Sequence, residues 1–362
     1  MKGLILAGGV GTRLRPFTYS GAKQLVPVAN RPVLYYVVDN LVDAQITDLA
    51  VVISPETGRE VKQSLGDGSA FGARLTYVLQ DKPLGIAHAV KVARPFLQED
   101  DFVMFLGDNL IGTRIAPTVQ RFARSPELSA FVLLKEVSDP SAFGVVKVDA
   151  QGNVMYLQEK PKHPPSNLAL VGVYLFRRVI HDAIDELSPS WRGELEITDA
   201  ITRLMQRGGK VSVETLSSWW LDTGKKDDLL LANDTVLDDW LKAGQEGQVD
   251  EDSKITGRVR VEKGAKVIRS TIRGPAIIGR DAELIDARIG PFTSIGDRVK
   301  VHRSTVDHSV LMEECLVQDI PRLEDSLIGR RVIVRPGASR HGALSLMVGD
   351  DCLVELSRER GG

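Results

Sequence analysis

Aliphatic side chains return every six residues over much of the C-terminal third of this chain. Ile255, Val261 and Val267 form one such series, and Ile289, Ile295 and Val301 form another. Neither a helix, with its turn of about 3.6 residues, nor a strand alternating every two residues produces that spacing. A parallel β-helix does: each short face supplies one inward aliphatic, and small residues or glycine turn the corners. Gly264, Gly290 and Gly296 fall near such turns, and Pro275-Ala276-Ile277-Ile278-Gly279 stands between the two series. Ordinary hairpins would instead show a period of two and Asn-Gly turns. The run Val306–Ile320 (VDHSVLMEECLVQDI) breaks the period. A β-helix domain is therefore expected over residues 254–340. The polar run 243–253 (AGQEGQVDEDS) reads as a linker before it, and 341–362 as a tail in which LSLMVGDDCLVEL can pair as strands.

Residues 1–242 follow another pattern. Gly3-Leu4-Ile5-Leu6-Ala7 is an apolar run of the length a buried strand needs, and it empties into Gly8-Gly9-Val10-Gly11-Thr12-Arg13. Glycines there allow close backbone approach, consecutive N–H groups can form a nest for an anion, and Arg13 adds a fork suited to phosphate oxygens. The P-loop is excluded because no lysine follows the last glycine. The dinucleotide fingerprint is excluded because Leu14 stands where a third small residue is needed. Further apolar runs at 48–54, 74–79 and 102–106 alternate with helical patterns, which predicts an α/β, Rossmann-like domain with a mixed, mostly parallel sheet. Ligands of such sheets sit beyond the carboxyl ends of the strands. Gln80 and the turn Gly107-Asp108-Asn109 occupy such positions. Four short alternating runs between Ser129 and Phe176 read as a strand-rich insert.

Composition narrows the class. With 362 residues, a net charge of −2 and 43% hydrophobic residues, the chain has the make-up of a globular protein of about two domains. No charge excess draws it to nucleic acid or an anionic membrane, and no apolar run is long enough for a bilayer. The apolar strand at the start leaves no room for a signal peptide. Cys315 and Cys352 lack metal-ligand spacing. The expectation is a cytoplasmic protein without nucleic-acid or membrane partners.

The order G-G-x-G-T-R-L-x-P (Gly8–Pro16), then Lys23-Gln24-Leu25-Val26-Pro27-Val28, then a helix-like RPVLYYVVDNLVDAQI, resembles the sugar-nucleotide pyrophosphorylases. Within these it resembles the glucose-1-phosphate thymidylyltransferases, in their longer form with a C-terminal left-handed β-helix. Phe143-Gly144-Val145-Val146, Glu159-Lys160-Pro161 and Trp220-Leu221-Asp222 match further motifs. The resemblance implies that Leu6, Ala7, Gly8, Gly9, Gly11, Thr12, Arg13, Gln24, Gln80, Pro83, Gly85 and Asp108 bind the nucleotide. It implies Asn109, Gly144, Glu159, Lys160, Val171 and Trp220 for the sugar side, Asp108 and Asp222 for Mg²⁺, and Arg13, Lys23, Asp108 and Lys160 for catalysis. The substrates would be dTTP and glucose 1-phosphate, and the protein a homo-oligomer. By itself each of these motifs has an ordinary structural reading. Gly107-Asp108-Asn109 can be a turn, Glu159-Lys160-Pro161 a charged loop, and Trp220 packing. His88 reads as helix surface, and Thr198 and Asp199 as cap-region residues without chemistry.

The implied reaction is attack by a sugar phosphate oxygen on the α-phosphorus of the triphosphate. That nucleophile is already anionic, so positioning and charge neutralisation suffice. Three alternatives remain open at this level. The chain could use UTP or another sugar phosphate, could be a non-catalytic sugar-nucleotide-binding homologue, or could carry acyl transfer on its β-helix, where His302 and His308 are the histidines present.

Overall fold

A computed structural model describes residues 1–337 apart from Val10, Ser20 and Lys225. Its contacts divide the chain into two units, Met1–Val10 with Pro32–Thr223, and Gly11–Arg31 with Gly224 onward.

The first unit is built on a nine-stranded mixed sheet. Its parallel half comprises β1 (Lys2–Leu6), β2 (Asp48–Ile53), β3 (Arg74–Leu79) and β4 (Phe102–Leu106), in the order β4-β1-β2-β3. Leu4 and Ile5 are wholly buried, as a central strand covered on both faces requires. The helix Val33–Asp43 buries Val33, Leu34, Val37, Val38 and Leu41, the spacing of one helical face. After β4 comes the short β5 (Asn109–Ile111). The strand-rich insert supplies β6 (Leu128–Glu136), β7 (Gly144–Val148), β8 (Val154–Glu159) and β9 (Leu168–Phe176). β9 runs antiparallel beside β4, β6 and β7. β10 (Lys210–Thr215) completes the sheet beside β6, and β11 (Trp220–Asp222) pairs with β5.

The second unit contains the expected left-handed β-helix, as three parallel sheets of six, six and five strands. Ile289 lies opposite Ile272 and Val306 opposite Ile289, a coil of seventeen residues across three faces. Ile278, Ile295 and Leu311 stack on a second face, and Leu284, Val301 and Val317 on the third, all buried. Two of the sequence boundaries differ from this arrangement. The expected linker 243–253 already carries strands Gly244–Gln245 and Gln248–Val249, paired with Arg260–Val261 and Lys266–Val267; its polar residues face solvent because the end coil has less core to cover. The catalytic region expected at 1–242 is split, since Gly11–Arg31 and the helix Lys226–Asp239 belong with the β-helix. The run 306–320 does not interrupt the coil. Leu311 lies opposite Ile295 after sixteen residues, so one residue is dropped at the corner between Asp307 and Val310 and the faces continue. Described strands continue to Val334, and the tail 341–362 lies outside the described residues.

Many corners hold non-glycine residues in the left-handed region. Arg269, Asp286, Arg303 and Asp319 form one column, and Asp281, Arg298, Glu314 and Arg331 another. Such a backbone costs about 1 kcal/mol per residue, which alternating charge offsets: Arg269 grips Asp286 at 2.7 Å and Arg303 grips Asp319 at 2.5 Å. Among the described residues no helix is long and apolar enough to cross a membrane.

Candidate active site

In the first unit, β1 and β4 run side by side with Leu6 opposite Leu106, so their carboxyl ends open at one edge. Half-buried Leu6 and buried Ala7 lead into Gly8 and Gly9, and Gly107 N donates to Leu6 O at 2.9 Å. Asp108 therefore leaves β4 next to the glycine turn, 8% exposed. Its carbonyl accepts from Thr223 Oγ1 at 2.8 Å and Thr223 N at 3.2 Å. Those bonds carry β11 alongside, with Asp222 opposite Asn109. Asn109 Nδ2 donates to Asp108 Oδ1 at 3.0 Å, and Trp220 Nε1 donates to Asn109 Oδ1 at 2.6 Å. Trp220 also packs edge-on against Phe143, with centroids 4.9 Å apart. Asp108, in the turn before β5, and Asp222, at the end of β11, are hard oxygen donors of the kind that suits a divalent cation. Among the described residues no cluster of three or more His, Cys, Asp or Glu could hold an ion alone. A cation on Asp108 and Asp222 would thus complete its shell with phosphate and water oxygens.

Gln80 follows β3, its N–H donating to Ile53 O at 2.9 Å. A Cβ on Gly8 would lie 3.5 Å from Gln80 Oε1. Gln80 Nε2 donates to Gly85 O at 3.2 Å and lies 3.0 Å from His88 Nδ1. His88 is thus half-buried behind Gln80 rather than on a free helix surface. Burial, and next Lys91, hold its pKa below the ordinary value, so a neutral ring accepts at Nδ1 and Oε1 of Gln80 is turned toward Gly8. Gly85 has φ +103°, and a Cβ there would collide with the Leu195 carbonyl. The absence of a Cβ at Gly85 therefore serves this backbone crossing. Leu195 N donates to Leu84 O at 2.7 Å, and Ala87 N to Leu195 O at 3.0 Å. Pro83, in the same loop, is exposed.

On the insert, Glu159 at the end of β8 pairs with Gly144 at the start of β7. A Cβ on Gly144 would meet Glu159 Oε2 at 3.1 Å, Thr198 Cγ2 at 2.9 Å and Leu170 Cδ1 at 2.7 Å. Thr198 is fully buried in the helix Ile197–Gln206, and its Oγ1 has no hydrogen-bond partner among the described residues. It faces this group rather than capping a helix. Val171 is buried where the β9–β6 register shifts, and a Cβ on Gly172 beside it would meet Asn109 Oδ1 at 2.8 Å. Lys160 has φ +41°, donates its N–H to Phe143 O at 2.9 Å, and sets its Nζ 4.0 Å from Glu159 Oε1. Arg192 was not singled out in the sequence, although the charge-dense run 192–199 was the available signal. It lies 3.1 Å from Glu196, 2.8 Å from Glu194 and 3.9 Å from Glu159. Burial, and next the charge of Glu196, push the Glu159 carboxyl up to about 7.

In the second unit, Gly11 has φ +68°, and a Cβ there would lie 2.7 Å from Lys23 Cβ. Thr18 Oγ1 closes the loop on Gly11 O at 2.7 Å. Thr12 and Arg13 are exposed on a short 3-10 turn (Thr12–Leu14). Lys23 and Gln24 open a second (Lys23–Leu25), where Gln24 is 1% exposed and its Oε1 has no partner among the described residues.

The family model described as nucleotidyl transferase matches residues 2–239. A glucose-1-phosphate thymidylyltransferase of Streptomyces antibioticus is 47% identical over 356 residues, covering 98% of this chain and 99% of that protein. A low-salt glycan biosynthesis nucleotidyltransferase of Haloferax volcanii is 43% identical, covering 91% of this chain and 92% of its own. A crystal structure from Bacillus anthracis, assigned to glucose-1-phosphate thymidylyltransferase and bound to sucrose, aligns with a TM-score of 0.62 at 39% identity. It covers 68% of this chain and 98% of that one.

Proposed function

We propose, from the premise that this chain belongs to the nucleotidyl transferase family, that it condenses dTTP with α-D-glucose 1-phosphate to give dTDP-glucose and pyrophosphate. The observation that carries the reading is the emergence of Gly8-Gly9 and Asp108 side by side at the ends of β1 and β4, with Asp222 on the strand paired to Asn109. Triphosphate chemistry needs backbone donors and hard carboxylates together, and few other reactions need both.

An oxygen of the sugar phosphate attacks the α-phosphorus; that P–O bond forms while the bond to pyrophosphate breaks. The attacking oxygen carries its own negative charge, so no side chain need remove a proton. Arg13 neutralises the departing pyrophosphate, and Lys23 and Lys160 hold the two phosphates in line. Glu159 accepts from sugar hydroxyls over the space that Gly144 leaves. Gln80, with Nε2 engaged by Gly85 and His88, presents Oε1 to the N–H of a pyrimidine ring. Gln24 offers a second buried acceptor. The family acts with a divalent metal, and Mg²⁺ on Asp108 and Asp222 would supply charge neutralisation for the triphosphate. We read the protein as cytoplasmic, and as a homo-oligomer.

The test measures pyrophosphate release from dTTP, UTP, CTP, ATP and GTP with glucose 1-phosphate and Mg²⁺. Fastest release from dTTP is expected, and no release from any of them overturns the reading.

A further inference from the structure

The hairpin that follows Lys23 and Gln24 is held by a residue no motif contains. Its strands are Pro27–Val28 and Arg31–Pro32, and its tip, Ala29 and Asn30, has φ +49° and +60°. A left-handed pair of this kind closes a tight two-residue turn, but alanine is an unfavourable occupant, costing about 1 kcal/mol. The turn is fixed from outside. Ala29 N donates to Asn233 Oδ1 at 3.1 Å, and Asn30 Nδ2 donates to Ile295 O at 2.6 Å.

Asn233 lies inside the helix Lys226–Asp239 and is fully buried, a position where asparagine is a weak helix former and a costly guest without partners. It has those partners on two other elements. Besides Ala29, its Oδ1 accepts from the fully buried Ser294 Oγ at 2.6 Å, and its Nδ2 donates to Phe292 O at 3.0 Å. One side chain thus joins a helix, the hairpin tip and one corner of the β-helix.

We infer that Asn233 is a positioning residue for nucleotide binding: it fixes the hairpin tip on the β-helix coil at 292–295 and so sets where Lys23 and Gln24 stand. This rests on the reading of Gln24 as a nucleotide ligand and of Lys23 as the catalytic lysine that holds a phosphate.

The full-length protein and its Asn233→Ala, Asn30→Ala and Ser294→Ala variants are compared for kcat, for KM of each substrate and for thermal melting. Asn233→Ala should raise KM for the triphosphate about tenfold, the effect of a lost buried hydrogen bond, and leave KM for glucose 1-phosphate within about twofold. Asn30→Ala, a milder change that keeps the helix intact, should shift the same constant by about threefold and carries the test if Asn233→Ala does not fold. Ser294→Ala removes a buried bond of the same junction but spares the hairpin, so it should lower melting without changing either KM. If the two asparagine variants melt lower and bind triphosphate as the wild type does, or if both KM values rise together, the inference is overturned. Wild-type protein inactive with every triphosphate overturns the functional reading and this inference with it; an active wild type matched by its Asn233→Ala and Asn30→Ala variants overturns the inference alone.

Discussion

A methyl group at Gly11 would meet two obstacles, a backbone at φ +68° and the Lys23 side chain 2.7 Å away. Gly11→Ala should therefore push Lys23 aside, lowering turnover by about 10²-fold while costing stability only about 1–2 kcal/mol, as steady-state rates and urea midpoints would read. Glu159 makes a second residue-scale prediction. Its folded pKa, about 7 against an ordinary 4.5, means that the folded state keeps a proton which the unfolded state has lost. Stability must then fall as pH rises from about 4.5 to about 7 and level off above, by an amount on the order of 3 kcal/mol. Glu159→Gln should remove that slope from melting curves taken across the window. The motifs that carry the family resemblance were enough to single out Gly11, Asp108 and Glu159 as candidates. They were not enough for Thr198, Arg192 or the pairing of His88 with Gln80, because those depend on which loops cross. Gly85 shows the same limit: its glycine was evident, but its reason, the Leu195 backbone, lies over a hundred residues away.

At the scale of elements, the strands of the parallel half were legible because buried central strands are continuous apolar runs. The β-helix was legible through its six-residue spacing, although a coil of seventeen residues shortens that spacing once per turn. A further residue is lost at the corner between Asp307 and Val310, where every inward position is kept. That corner carries His308, whose Nε2 lies 2.7 Å from Asp234 on the helix Lys226–Asp239 and whose Nδ1 bonds Asp325 of the next coil. The two carboxylates, Asp325 foremost, raise its pKa above the ordinary 6.5. The stabilisation from this protonated clamp is complete below about pH 6.5 and is lost as pH rises through the higher folded value. His308→Gln should lower the melting temperature at pH 6 by a few degrees and make little difference near pH 9, as paired melts would show. Both ring nitrogens of this histidine are engaged as structural contacts. His302, 2.7 Å from Glu283, likewise has an acidic partner.

For the whole molecule, the sequence placed a boundary at residue 242 because composition changes there. Contacts place Gly11–Arg31 with the β-helix instead, a grouping that composition cannot show, since it joins residues more than two hundred positions apart. A chain ending at Lys242 keeps every residue proposed for catalysis but loses Phe292 O, Ser294 Oγ and Ile295 O as partners. It should turn over dTTP at least about tenfold more slowly than the full chain and melt lower, measurable in one assay and one scan. The hairpin tip at Ala29 and Asn30 also sets an order of events during synthesis. Its partners at Asn233 and Ile295 leave the ribosome 204 and 265 residues later. At about 5–20 residues per second, that is a wait of about ten seconds to a minute. The hairpin beside the residues proposed for nucleotide binding is therefore among the first parts made and the last set in place, and a nascent chain interrupted before the β-helix would hold that hairpin without its final anchorage.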